Sequence, residues 1–144
     1  MAAIVAGLAR VERQSRFIGV GAMVGAGVFV ARPIFDLIEA HVLAAERLHG
    51  DDTKIPILAK GKTDTGRIWG YVRDDRPFGG QDPPAALYYA SRDRRGEHPA
   101  RHLQRFTGIL QADAYSGFNV LFDPVRRPAP VTPAFCWAHS RRAF

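Results

Sequence analysis

Gly108-Ile109-Leu110-Gln111-Ala112-Asp113-Ala114-Tyr115 sets an aspartate at the end of a short apolar run. Ile109 to Ala112 reads as a strand, and Asp113 falls where that strand ends. Earlier in the chain a second acidic site, Asp51-Asp52-Thr53, leads into Ile55-Pro56-Ile57-Leu58, with Thr53 to Leu58 predicted as a strand. Carboxylates carried at the ends of neighbouring strands can hold two divalent metal ions against a phosphodiester. The fold question is therefore whether these two strands lie side by side.

Working outward, Gly61 to Gly66 reads as a turn and Arg67-Ile68-Trp69-Gly70-Tyr71-Val72-Arg73 as the second arm of a hairpin. Asp74 to Pro84, rich in Asp, Gly and Pro, reads as a loop, and Ala85 to Ala90 as a third strand. His98 to Phe106 predicts a short helix leading into the strand that ends at Asp113. A helix over Tyr115 to Phe122, a proline-rich loop from Pro124 to Pro133 and a last strand over Ala134 to His139 follow. Upstream, Ile34, Leu37, Ile38 and Val42 share a helical face, with Pro33 suited to the first turn and Gly50 to stopping the helix. Residues 1–31 differ in character, because glycines at 19, 21, 25 and 27 weaken any helix. A mixed sheet that paired the first strand with the fourth would bring Asp51 and Asp113 within a few ångströms of each other.

At 144 residues, with 47% hydrophobic and 24% charged, the composition is that of one folded domain. The net charge of +6 rests on 17 arginines and only Lys54, Lys60 and Lys62. Arginine suits bidentate phosphate contacts, so the balance favours a polyanionic partner; an arginine-rich composition from a GC-rich genome is the alternative. One cysteine, Cys136, excludes an internal disulfide framework and fits a reducing cytoplasm. The apolar run from Phe17 to Ala31 is shorter than the roughly twenty residues a membrane span needs, so no membrane association is expected.

Each candidate has a plain structural alternative. Asp113 could cap the following helix and Asp52 could be solvated. The pairs Arg126-Arg127 and Arg141-Arg142 are candidates for DNA phosphate contacts, with a solvated edge as the alternative. Arg92, Arg94 and Arg95 with Asp93 and Glu97 read as a solvated turn. Cys136 and His139 have half the spacing of a zinc site but lack a second pair. Trp69 and Tyr71 lie two apart on one strand face, which favours core packing over base stacking.

Four ordered motifs carry a family resemblance: His49-Gly50-Asp51-Asp52-Thr53; Thr63-Asp64-Thr65-Gly66-Arg67-Ile68-Trp69-Gly70-Tyr71-Val72-Arg73-Asp74; Leu110-Gln111-Ala112-Asp113-Ala114-Tyr115-Ser116-Gly117-Phe118-Asn119; and Cys136-Trp137-Ala138-His139-Ser140-Arg141-Arg142-Ala143-Phe144. From about Pro33 to Phe144 the chain resembles the DDE-type transposases of the insertion sequence sixty-six family. The resemblance implies an α/β fold of RNase H-like, retroviral-integrase type: a mixed sheet with flanking helices, here expected to be incomplete at its C-terminus. It also implies Mg2+ or Mn2+ as cofactor, transposon-end DNA as partner, and a triad of two aspartates and a later glutamate. Asp51 matches the first aspartate, in preference to Asp52, and Asp113 the second.

The expectation is thus a poorly matched segment, 1–31, before a truncated catalytic core, 32–144. Phe144 precedes the region in which the third acid belongs, so the chain is expected to be a transposase fragment inactive alone. A full-length transposase or a split-frame partner would complete it. The other reading is a non-catalytic DNA-binding or regulatory remnant.

Overall fold

The computed structural model describes residues 20–141. Its first element is helix α1 (Val20–Leu43), followed by strands β1 (Arg47–Ala59) and β2 (Lys62–Arg73). A 3-10 turn (Arg76–Phe78) precedes β3 (Ala85–Ser91), and α2 (Glu97–His102) precedes β4 (Ile109–Ala112). A second 3-10 segment (Ser116–Leu121), β5 (Thr132–Phe135) and α3 (Trp137–Ser140) complete it. The five strands form one sheet in the order β3-β2-β1-β4-β5. The β1–β2 and β2–β3 pairs are antiparallel, whereas β4 runs parallel to β1 and β5 parallel to β4.

This mixed topology places the first and fourth strands side by side, with His49 opposite Gln111. Asp51 lies two residues beyond His49 on β1, and Asp113 directly follows β4. Side chains alternate between faces, so the sheet has two chemically distinct sides. Leu48, Trp69, Tyr71, Leu87, Leu110 and Ala112 point to one side and are buried there. Phe35 and Val42 of α1, Leu103 and Phe106 after α2, and Phe118 and Leu121 of the 3-10 segment cover them. Each fully buried large side chain contributes about 1.5–3 kcal/mol, and the aromatic members dominate.

Polar atoms taken into this layer find partners. Trp69 Nε1 donates to Ser91 Oγ at 2.8 Å, and the Tyr71 hydroxyl meets His102 Nδ1 at 3.2 Å. Arg73, also buried, donates to Asp75 at 2.7 Å, to the His41 carbonyl at 3.0 Å and to Asp82. It thereby ties the end of α1 to β2 and the loop beyond.

Several boundaries differ from the sequence reading. Helix α1 begins at least as early as Val20, passes through Gly21, Gly25 and Gly27, and carries Pro33 in its interior. Docking of the Phe35–Val42 half supplies the costly nucleus, so extension outward proceeds despite the glycines. The helix therefore runs unbroken across the boundary set at residue 31, while residues 1–19 lie outside the described ones. Gly50 does not stop a helix; it lies inside β1, where an added Cβ would approach Leu110 at 3.0 Å.

The first hairpin turns at Lys60-Gly61, with Gly61 at φ +72°, and pairing continues through Lys62 to Gly66 where a loop was expected. The helix predicted for Tyr115 to Phe122 is a 3-10 segment. The last strand is Thr132–Phe135 instead of Ala134 to His139, because four-residue β4 offers partners only from Ile109 to Ala112. Beyond Phe135 the chain turns into α3, leaving Trp137 75% exposed.

Candidate functional site

The sheet face opposite the core carries His49, Asp51 and Thr53 from β1 and Ile68, Gly70 and Val72 from β2. Tyr88 of β3 and Gln111 of β4 complete its strand residues. With Asp113 and Cys136 just past β4 and β5, these residues line one open cavity of about 370 Å³. Gly70 sits directly opposite Asp51 in the β1–β2 pairing. A Cβ there would stand 3.2 Å from the Tyr88 ring, so glycine keeps the space beside the carboxylate open.

Asp51 is exposed, and its Oδ1 accepts the Asp52 amide at 2.9 Å. Asp113 is less exposed, at 23% of its side chain. Its Oδ1 accepts the Tyr115 amide at 3.2 Å, a local turn bond, while the 3-10 segment that follows has Tyr115 at its cap and no side-chain cap bond. That bond uses one lone pair and leaves acceptor capacity on both oxygens.

Asp52 points to the opposite face and is not solvated: its side chain is 1% exposed. Arg67 donates to Oδ2 at 2.8 Å, while Arg94 donates through Nε at 2.9 Å and sets its Nη2 2.7 Å from Oδ1 as an ion pair. The same Nη2 reaches Asp113 Oδ2 at 3.0 Å. One guanidinium thus spans both acidic stretches. Burial pulls against the charge of Arg94, but the hydrogen bonds and charge of Asp52, then Asp113, raise its pKa. The guanidinium lies 4.0 Å from the centre of the Tyr115 ring, and the Tyr115 hydroxyl donates to the Arg94 carbonyl.

The solvated-turn reading of Arg92 to Glu97 is corrected for Arg94, which reaches inward. Its neighbours Asp93, Glu97 and His98 bring potential ligand atoms within 4.8 Å of one another. This group is internally bonded: His98 Nε2 lies 2.6 Å from Asp93, which also accepts the Arg95 amide. Those bonds, the Arg95 amide first, hold the Asp93 carboxyl below its usual range. Sequence spacing had given no signal for Arg94, because the loop that delivers it has no periodic pattern.

The four arginines proposed for phosphate contact fall in different settings. Arg126 is corrected to a structural role: it donates to the carbonyls of Leu103, Gln104, Phe106 and Ala129. Arg127 and Arg141 are exposed, and Arg142 lies outside the described residues. Among the described residues no helix is long and apolar enough to cross a membrane.

Two carboxylates that line one accessible cavity, Asp51 on β1 and Asp113 just past β4, offer hard oxygen donors. Such donors suit a hard divalent cation that keeps part of its water shell. The family described as Transposase IS66 family matches residues 17–144. Two similar proteins of Sinorhizobium fredii, Uncharacterized protein y4hP and Uncharacterized protein y4qI, are 62% and 40% identical over 121 residues each. These matches cover 84% and 81% of this chain and 22% of each relative. The chain therefore spans about a fifth of the length of the curated relatives it matches.

Proposed function

Because the chain belongs to the IS66 family of transposases, we propose that it is part of a transposase catalytic core in which Asp51 and Asp113 hold a divalent metal ion against transposon-end DNA. The observation that carries this reading is the shared cavity: two carboxylates far apart in sequence, Asp51 within β1 and Asp113 just past its parallel neighbour β4, line one open pocket. The strand order β3-β2-β1-β4-β5, with β4 and β5 parallel to β1, supports an RNase H-like architecture of the retroviral-integrase type.

Mg2+ or Mn2+ bound there would activate a water or hydroxyl for attack on the phosphodiester and stabilise the leaving oxygen. The chain's own residues supply the rest. Asp51 and Asp113 neutralise the cation, and Gly70 leaves room for a phosphate beside Asp51. Asp52, paired with Arg67 and Arg94, fixes the strand from behind. The +6 net charge favours approach of the DNA polyanion, and exposed Arg127 and Arg141 are available to its phosphates.

The two carboxylates in the cavity fit part of a metal site, and the matched stretch covers 22% of each relative. The isolated chain is expected not to cut DNA, and a full-length transposase or split-frame partner is expected to complete it. A nicking assay with Mg2+ or Mn2+ on DNA carrying the element's ends tests this. The expected result is intact DNA; robust nicking abolished by Asp113→Asn would refute the expected inactivity. DNA affinity that falls with salt but ignores both Asp51→Asn and added Mg2+ would favour the non-catalytic remnant instead.

A further inference from the structure

Arg94 stands where a second positive charge would be least welcome beside a metal ligand. Its Nη2 is 3.0 Å from Asp113 Oδ2, and the side chain is 35% exposed. We propose that Arg94 is an internal counter-ion that competes with the divalent cation for Asp113, so that cation loading requires the Arg94–Asp113 contact to open. This rests on the reading of Asp51 and Asp113 as metal ligands.

The geometry makes that opening local. Arg94 touches Asp113 through a single nitrogen, whereas it holds Asp52 through both Nε and Nη2. Releasing Asp113 therefore breaks one ion pair and leaves the guanidinium on Asp52 and against the Tyr115 ring, 4.0 Å away. Asp52 also keeps Arg67 at 2.8 Å, so its buried charge stays compensated throughout. The arrangement neutralises Asp113 while the cation is absent, and a cation approaching Asp113 repels Arg94 away from it. A divalent cation that took the Arg94-bound oxygen of Asp113 would stand beside the guanidinium, and the two like charges would repel there.

The test uses the isolated chain and Mn2+ itself, with free Mn2+ followed by electron paramagnetic resonance and folding by circular dichroism. Arg94→Gln removes the competing charge while Arg67 still serves Asp52. It is expected to tighten Mn2+ binding about tenfold, a solvent-screened share of the repulsion between neighbouring like charges. Arg94→Lys, which keeps a charge, is expected to stay near the wild type, and Arg94→Gln combined with Asp113→Asn to lose the gain. Should Arg94→Gln not fold, Arg94→Met keeps the stem against Tyr115 and gives the same reading. Binding that Asp113→Asn abolishes but Arg94→Gln leaves within twofold would overturn the competition while sparing the metal site. No Mn2+ binding by wild type and Arg94→Gln alike would overturn the metal reading and this inference with it.

Discussion

Asp51 and Asp52 are adjacent in sequence, yet the structure assigns them opposite energetic roles, and a pair of asparagine substitutions separates them. Asp52 is 1% exposed and carries ion pairs to Arg67 and Arg94, whose side chains are 17% and 35% exposed. Breaking a fully buried pair by removing one partner costs about 3–5 kcal/mol, because a charge is left uncompensated. Here the two arginines retain some water, and Arg94 retains Asp113, so the cost of Asp52→Asn falls to about 2–3 kcal/mol. For a domain of this size that corresponds to a melting-temperature drop of about 10 °C. Asp51→Asn keeps an oxygen for the Asp52 amide and changes only an exposed charge, for a cost below about 0.5 kcal/mol. Thermal unfolding followed by circular dichroism reads both. Equal losses for the two variants, or an Asp52→Asn protein that melts within about 2 °C of the wild type, would refute the assignment of faces.

Other outcomes follow from the same packing. Burial, reinforced by Arg101 and His98, pushes the His102 imidazole down to about 3. The unfolded chain then takes up a proton near pH 6.5 that the folded one refuses, so stability is full above that pH and falls as pH drops toward 3. Urea unfolding at pH 7 and pH 5 should show a loss that His102→Gln reduces; equal pH dependence in both proteins would contradict it. Gly108→Ala would drive a Cβ into the Glu46 carbonyl oxygen, which accepts the Ile109 amide at 2.8 Å, and is expected to prevent cooperative unfolding transitions from appearing at all. Arg126→Gln, which releases four backbone carbonyls, should lower stability by about 1–3 kcal/mol without changing DNA affinity, whereas Arg141→Gln should do the reverse. DNA titrations at two salt concentrations, run beside melting curves, distinguish the two arginines.

What sequence could say about this fold depended on where hydrophobic pattern and topology coincide. Ile109–Ala112 was readable to the residue because an apolar run is bracketed by Gly108 and Asp113. Trp69 and Tyr71, two apart, were readable as one core-facing pair and are fully buried. The outer half of the hairpin was not, because Lys62-Thr63-Asp64-Thr65 is polar on both faces and a polar strand has the pattern of a loop. The end of β5 was set by the length of β4, a tertiary constraint that no local window contains. The two-sided character of Asp51-Asp52 follows from strand alternation, but which residue faces the core needed the register against β2. Arg94 was invisible for a related reason: it comes from a loop, and its partners lie 42 and 19 residues away.

The central claim is that the face carrying Asp51 and Asp113 is where a divalent cation binds. Backbone amide spectra of 15N-labelled protein, recorded while Mn2+ is added in substoichiometric steps, test it most directly, since the ion broadens signals of nearby residues. Early broadening is expected at Asp51, Gln111 and Asp113, and its loss in Asp113→Asn. Broadening centred on Asp93, Glu97 and His98 instead, or spread over exposed carboxylates without order, would contradict it.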